Sequence, residues 1–232
     1  MVNSEFSSEF DILFNNIMSN QAPGLDNYEK SVFLTKAQEE IVLSLYNGKN
    51  PYGDSFEETE EIRRYFNTLV KTKVYNSLDR EHYDNSLSER SSFFRLPEDL
   101  WFITYESADL NNTNSSILNV KVIPTSLDNY HRIKENPFKG PSKKRVLRLD
   151  IEDNLVELIS IHEIDKYLIR YISKLSPIIL EDLSMYNLSI NGISEPTECA
   201  LNPLLHRAIL DRAVKLAISS VIVDSERTVN NV

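Results

Sequence analysis

The chain has 232 residues and a hydrophobic fraction of 41%, which suffices for the core of one large domain or two small ones. Its single cysteine excludes an intramolecular disulfide, and its five glycines leave no glycine-rich phosphate loop. The net charge of −10 argues against tight general binding to DNA or to anionic membranes. No uncharged apolar run reaches membrane-spanning length, and the acidic start lacks the apolar centre of a secretory signal.

Residues 1–75 predict a helical unit. A short amphipathic helix over residues 5–19 has five apolar side chains on one face: Phe6, Phe10, Leu13, Phe14 and Ile17. A longer helix spans residues 26–47, where Asp26 and Glu29 have the spacing of a capping box. Its predicted buried face includes Leu34, Ala37, Ile41 and Leu45, and its predicted polar face includes Lys36, Gln38, Glu39 and Glu40.

A third helix is predicted to begin at Ser55, three residues before Glu58, which is again the spacing of a capping box. Its apolar face would consist of Ile62, Phe66, Leu69 and Val70, with Lys71 and Lys73 near its end. The polar residues 76–92 then predict a long connection.

The middle of the chain predicts a β-rich segment. Strands are expected over residues 100–105, 119–123, 145–151, 155–161 and 166–172, and a short one over 188–190. A helix over residues 163–174 is the alternative to the fifth strand. Residues 124–144 contain three prolines and predict an extended loop, with a helical turn near 127–134.

A last helix is predicted after Asn202, which suits the N-cap, with Pro203 in the first helical position. Its apolar face consists of Leu205, Ile209, Ala213, Leu216 and Ala217. The expected fold is therefore α+β, a helical bundle of N- and C-terminal helices with a β-rich middle segment inserted. The expected domains are a helical unit (1–75), a β-rich insert (76–199) and a closing helix (200–232) that packs on the first unit.

Residues with catalytic or metal-binding chemistry are scattered along the chain. The four histidines have no metal-ligand spacing to one another or to Cys199. The run from His162 to Asp165 is the nearest approach to a cluster, but adjacent residues on a strand face opposite ways. Cys199 has no flanking nucleophile motif. The sequence therefore predicts no catalytic residue, no cofactor and no metal.

One charged segment stands out between His131 and Arg148. It contains seven basic residues against one acidic residue: Arg132, Lys134, Lys139, Lys143, Lys144, Arg145 and Arg148. Three interpretations remain open: a solvated loop, contact with DNA phosphates, or contact with an acidic surface of another copy. The candidate acidic surface is the start of the third helix, with Glu57, Glu58, Glu60 and Glu61, which also complements the helix dipole.

Five segments together resemble one family of structural proteins. They are FDILFNNIMSNQAPGLDNYEKSVFLTKAQEEIV (10–42), LPEDLWFI (96–103), NPFKGPSKKRVLRLD (136–150), YLIRYISKLSPIILEDL (167–183) and ECALNPLLHRAILDRAVKLA (198–217). In content and order they resemble the head–tail connector (adaptor or ring) proteins of crAss-like and related short-tailed bacteriophages. The chain departs from that pattern at Leu175-Ser176, where a basic residue and a proline are expected before Pro177.

The resemblance implies a non-enzymatic virion protein that forms a ring, with twelve copies, between portal and tail. It implies as partners other copies, the portal protein, other connector or tail rings, and the genomic DNA that passes through the channel, but no membrane. It implies assembly in the host bacterial cytoplasm. The alternative from the residues alone is a nucleic-acid-binding regulatory protein that uses residues 132–148; an enzyme of unknown type is a third.

Overall fold

The structure is a computed structural model that describes residues 1–18, 24–48, 59–112 and 115–230. The chain forms two compact units, one of residues 1–69 with 175–232 and one of residues 70–174. The α+β class predicted from the sequence is confirmed, since helices and one seven-stranded sheet are both present. The three-part division at residues 75 and 199 stays a prediction.

In its described residues the first unit, 1–69 with 175–232, has four α-helices: α1 (Asn3–Met18), α2 (Asn27–Tyr46), α3 (Glu60–Tyr65) and the last helix, Pro203–Asn230. This last helix packs against both α2 and α1. The buried side chains include Phe6, Phe10 and Phe14 of α1, Leu34 and Ala37 of α2, and Ile209 and Ala213 of the last helix. These are positions that the helical periodicity predicts.

The ends of the long helices follow their capping residues. Asp26 and Glu29 form the predicted capping box, in which the Asp26 carboxylate accepts from the Glu29 N–H at 2.7 Å. After α2, Gly48 has a φ of 67°, as expected for a left-handed residue beyond the helix end. Asn202 Oδ1 accepts from Leu204 N at 3.1 Å and satisfies a free amide in the first turn of the last helix.

Two details of the predicted helix faces are wrong. Ile17 is 58% exposed, because it lies at the end of α1 beyond the three buried phenylalanines. Gln38 is fully buried rather than solvated. Its Nε2 donates to the Ser176 carbonyl at 2.9 Å and its Oε1 accepts from Cys199 Sγ at 3.3 Å, so its amide is satisfied inside the unit.

The predicted third helix is much shorter than expected. The predicted capping box at residues 55–58 lies outside the described residues, and α3 has Thr59 as its N-cap. Beyond α3 the backbone changes to a strand, Val70–Asn76. Lys71 and Lys73 therefore lie on an exposed edge strand and not at a helix end.

The second unit, residues 70–174, contains the sheet. Its strands are β1 (Val70–Asn76), β2 (Ser91–Arg95), β3 (Leu100–Asn112), β4 (Ser115–Pro124), β5 (Arg145–Glu152), β6 (Leu155–Ile159) and β7 (Glu163–Ser173). The order across the sheet is β1-β7-β3-β4-β5-β6-β2. All neighbours are antiparallel except β4 and β5, which are parallel.

The sheet curls around its own core. Tyr75 of edge strand β1 and Phe94 of edge strand β2 have ring centroids 5.6 Å apart. The Tyr75 hydroxyl donates to the Arg95 carbonyl at 2.8 Å. Both rings pack with Tyr167 of β7, as the predicted alternation of residues 166–172 requires, so the alternative helix over 163–174 is wrong.

Strand β2 was not predicted, because only two aromatic residues, Phe93 and Phe94, stand among polar ones. The expected strand over residues 188–190 is wrong. Only one isolated bridge forms there, between Ile190 and Ile193 across the Asn191-Gly192 turn.

Candidate assembly surfaces

The basic segment, His131–Arg148, begins in the connection between the parallel strands β4 and β5 and ends in the first residues of β5. Parallel neighbours cannot be joined by a tight hairpin, so the chain makes a crossover through the short helix α4 (Leu127–Ile133). Ser126 caps this helix by accepting from Asn129 N at 3.4 Å. Tyr130 is buried against Leu147 and Leu149 of β5, so it fixes the start of the basic segment to the sheet.

Residues 134–144, which we call the tip, fold into a hydrogen-bonded turn. Asn136 Oδ1 accepts from the amides of Phe138 at 2.8 Å and Lys139 at 3.2 Å, while the Asn136 carbonyl accepts from Gly140 N at 2.7 Å. Arg145 donates from Nη1 to the carbonyls of Phe138 and Gly140. Arg145 therefore stabilises the turn of the tip through its hydrogen bonds to two backbone carbonyls.

Gly140 is required by close packing in the tip. A Cβ there would lie 2.8 Å from the carbonyl oxygens of Asn136 and Ile133 and 2.9 Å from that of Lys134. Backbone oxygens cannot rotate away as a side chain can, so the turn admits only glycine without a shift.

Five of the seven predicted basic residues have exposed side chains: Arg132, Lys134, Lys139, Lys143 and Lys144. Glu135 is exposed among them. The tip therefore presents a surface of mainly positive charge. Contact between this surface and a neighbouring copy stays a prediction.

Arg148 differs from the other basic residues because it is buried, with 9% of its surface exposed. Its Nη1 donates to Glu106 of β3, which is 8% exposed, and its Nε lies 3.3 Å from Asp150 Oδ1. The Tyr167 hydroxyl donates to the same Glu106 oxygen at 3.1 Å. Arg148 therefore satisfies a charge inside the sheet of its own subunit.

The pKa values of this cluster shift in one direction: burial lowers the pKa of Arg148, but the carboxylates of Glu106 and Asp150 outweigh it and raise that pKa. Burial raises the pKa of the Glu106 carboxyl, and the opposing effect of Arg148 is smaller. Burial also raises the pKa of the Tyr167 phenol. The charged pair thus offsets its desolvation only in part, as is usual for a buried ion pair, while loss of either partner would leave an uncompensated charge.

The acidic surface is described only at Glu60 and Glu61, since Glu57 and Glu58 lie outside the described residues. Both side chains are exposed at the start of α3. Glu60 Oε1 accepts from Arg64 Nη2 at 2.7 Å, and Glu61 accepts from the Tyr65 hydroxyl. The pair of Glu60 and Arg64 is weak because both side chains are solvated.

A groove of about 450 Å³ adjoins the acidic surface. Its walls are Glu60, Glu61, Arg64, Tyr65 and Leu204, the last from the first turn of the last helix. Leu204 is 74% exposed. The groove therefore combines the apolar surface of Leu204 and Tyr65 with two carboxylates and the Arg64 guanidinium.

A second cavity of about 550 Å³ lies in the sheet unit, and its walls include Arg80, Arg90, His162, Glu89 and Glu163. Its cations are matched by its carboxylates. Arg80 Nη1 donates to Glu163 at 2.9 Å, and Arg90 donates to the Ile161 carbonyl. Arg80 Nε and His162 Nε2 are buried there without a hydrogen-bond partner.

The remaining candidate residues stay apart. Among the described residues, no three His, Cys, Asp or Glu side chains are grouped as a metal would require. Burial raises the pKa of the Cys199 thiol, which lowers its reactivity. Burial lowers the pKa of His206, whose Nε2 lies 3.0 Å from the Leu201 carbonyl.

Glu157 of β6 is a structural residue that its sequence does not reveal. It is fully buried, and its Oε1 accepts from Leu87 N at 2.8 Å and from the Ser91 hydroxyl. It thereby fixes the connection before β2. A glutamate inside an apolar strand is the only sequence signal, and Glu106 carries no stronger one.

None of the helices in the described part of the chain has the length and apolarity to cross a membrane. The fold is α+β, and the basic segment and the start of α3 present charged external surfaces.

The chain belongs to the family described as phage tail ring protein 3/4, which matches residues 1–229. It is 52% identical to Ring protein 3 of Bacteroides phage crAss001 over 224 residues, 95% of this chain and 96% of that protein. It is 40% identical to Ring protein 4/5 of the same phage over 222 residues, 92% of this chain and 91% of that protein. The resemblance seen in the sequence is confirmed: this is a structural ring protein of a phage.

Proposed function

We propose that the chain forms a closed ring of identical subunits in the head–tail connector, between the portal protein and the tail. The ring has twelve copies, contacts other connector or tail rings, and surrounds the channel through which genomic DNA is retained and ejected. It makes and breaks no covalent bond. The observation that carries the proposal is the family match over residues 1–229.

The nearly complete overlap with two named ring proteins supports assembly as a ring of whole chains. Each overlap covers both compact units, 1–69 with 175–232 and 70–174. We therefore propose that the N- and C-terminal helices form a bundle, that the β-rich segment is its insert, and that both take part in the ring. Assembly takes place in the host bacterial cytoplasm and ends in the virion.

The subunit contact we propose joins the basic segment of one copy to the acidic start of α3 in the next. Its residues are Arg132, Lys134, Lys139, Lys143, Lys144 and Arg145 on one side and Glu57, Glu58, Glu60 and Glu61 on the other; Arg148 supports the segment from within. A contact between two different surfaces is heterologous, and such contacts close into rings when the rotation permits.

The charge of the subunit supports a channel that does not hold DNA. Each phosphate neutralised by a cation releases counterions and strengthens binding, which would impede passage of the genome. A chain with a net charge of −10 whose cations face a neighbour avoids that effect.

The test is native mass spectrometry and negative-stain microscopy of the purified full chain, alone and with its neighbouring rings. We expect one closed oligomer with rotational symmetry. A monomer or dimer at every concentration, including with the neighbouring rings present, would contradict the proposal.

The alternative function, regulation through nucleic-acid binding, is favoured by the five exposed cations of the basic segment. Five phosphate contacts would give a slope of about −4.5 for log affinity against log salt. Tight DNA binding by a monomer or dimer with that slope would favour the alternative, and a slope near zero would exclude it.

A further inference from the structure

Phe138 projects from the tip with 83% of its surface exposed. It follows Pro137 and precedes Lys139, so an apolar ring stands within the positive surface. Single exposed apolar side chains are common, but aromatic anchors surrounded by polar residues are also the usual centres of protein interfaces. The tip has both properties.

The backbone around Phe138 is held in place before any partner binds. The Phe138 amide donates to Asn136 Oδ1 at 2.8 Å, its carbonyl accepts from Arg145, and Gly140 packs against three carbonyls. An aromatic side chain on an ordered turn costs little backbone entropy when it docks. These bonds order the backbone without covering the side chain.

The groove beside α3 has the chemistry that such a side chain fits. Leu204 and Tyr65 offer apolar surface, and the carboxylates of Glu60 and Glu61 line the same groove. The volume of about 450 Å³ has room for a phenyl ring. Glu60 already pairs with Arg64, which also lines the groove, and Glu61 accepts from the Tyr65 hydroxyl. Both carboxylates are exposed and can accept further bonds, so lysines beside the phenyl group can approach them as it enters.

We propose that Phe138 of one copy inserts into the groove of Leu204 and Tyr65 on the next copy. This inference rests on the proposed ring and names the anchor of its subunit contact. The lysines of the tip steer it to the groove, and the buried phenyl group of Phe138 keeps it bound there. Removal of the Phe138 phenyl group should therefore speed dissociation of neighbouring subunits more than it slows their association.

Disulfide capture tests the inference on the full chain. In a Cys199→Ser background, Phe138→Cys and Leu204→Cys are made as two separate proteins, mixed and oxidised. We expect a covalent dimer with one chain of each kind, identified by mass spectrometry across the disulfide. The chain with both substitutions should give a ladder of oligomers. In the matched control, Leu78→Cys, on a residue 95% exposed in the same unit, replaces Phe138→Cys and gives no mixed dimer.

Anchor removal provides the second arm. Phe138→Ser should weaken ring formation about tenfold or more, while Leu78→Ser leaves it unchanged. Both residues are exposed, so both variants should retain the wild-type circular dichroism. Lysine contact without the anchor predicts instead that Phe138→Ser assembles as the wild type does.

The outcomes separate the two proposals. Normal assembly of Phe138→Ser overturns the anchor and leaves the ring. Absence of the 138–204 disulfide does the same when it is measured at a protein concentration at which both cysteine variants form rings. Failure of the unsubstituted protein to form any ring, alone or with its neighbours, overturns both.

Discussion

Lys144 and Arg148 lie four residues apart in one basic run, yet their environments are opposite. Lys144 is exposed at the tip, whereas Arg148 is buried on β5 against Glu106 of β3. The end of the segment in β5 stabilises the fold through Arg148, whereas the lysines of the tip are exposed and can contact a neighbouring subunit. A run of like charges is therefore not one functional unit, because the backbone decides which cations reach solvent.

The largest effect should come from the buried end of the segment. Arg148→Met leaves the Glu106 carboxylate buried without its cation and should lower the free energy of unfolding by about 3–5 kcal/mol. The measurement is urea denaturation followed by the fluorescence of Trp101, the chain's one tryptophan, which lies in the sheet unit.

Two further variants sharpen that result. Lys144→Met should stay within about 0.5 kcal/mol of the wild type, because no buried charge is left behind. Glu106→Leu combined with Arg148→Met should recover most of the loss, because neither charge remains inside. A double variant as unstable as the single one would show that the ion pair itself stabilises the sheet.

The next effect concerns the turn that shapes the tip. Gly140→Ala places a methyl group 2.8–2.9 Å from three carbonyl oxygens and should cost about 1–3 kcal/mol, or deform the tip and reduce assembly. Gly24→Ala is the matched control, since nothing lies within 4 Å of its Cβ position. Equal melting temperatures and equal assembly for the two variants would remove Gly140 from the account.

A smaller effect is expected from the exposed cations. Replacing Lys139, Lys143 and Lys144 with glutamate should weaken ring formation roughly tenfold, since each solvated ion pair contributes a fraction of a kcal/mol. Lys121→Glu with Lys166→Glu, two exposed lysines outside the basic segment, is the control for charge alone. Sedimentation velocity measures both, and rescue by Glu60→Lys with Glu61→Lys would confirm the pairing.

The smallest effect is a pH dependence of stability. Burial lowers the pKa of His206 in the folded chain, so the unfolded chain binds the proton more readily. The contribution of His206 to the free energy of unfolding should be fully present above the unfolded pKa of about 6.5 and should fall as the pH drops below it. Melting curves at pH 7.5 and 5.5 should differ less for His206→Gln than for the wild type; equal differences would exclude His206 as the source.

The sequence predicts the elements whose signal is local. The capping box at Asp26 and Glu29, the start at Asn202-Pro203 and the alternation of Tyr167, Ile169 and Tyr171 depend on spacings of a few residues, and all three are confirmed. Strand β1 was missed because an edge strand with exposed lysines has no clean alternation, and its Val70 fits the spacing of Ile62 and Phe66.

Features that depend on distant partners are beyond the sequence pattern. Gln38 can be buried because Ser176 and Cys199 satisfy its amide. Helical periodicity cannot distinguish such a glutamine from a solvated one, because its partners are 138 and 161 residues away in the chain. Arg148 was grouped with the exposed cations because its acceptor, Glu106, is 42 residues earlier in the chain. Composition alone reveals the basic segment, whereas the different environments of its two ends depend on the sheet.

The most direct test is a cryo-electron microscopy reconstruction of the head–tail vertex in purified phage particles. The account predicts a closed ring of identical copies of this chain, with residues 134–144 of each subunit against residues 59–65 and Leu204 of the next. A single unassembled copy, or a ring in which residues 134–144 face solvent, would contradict it.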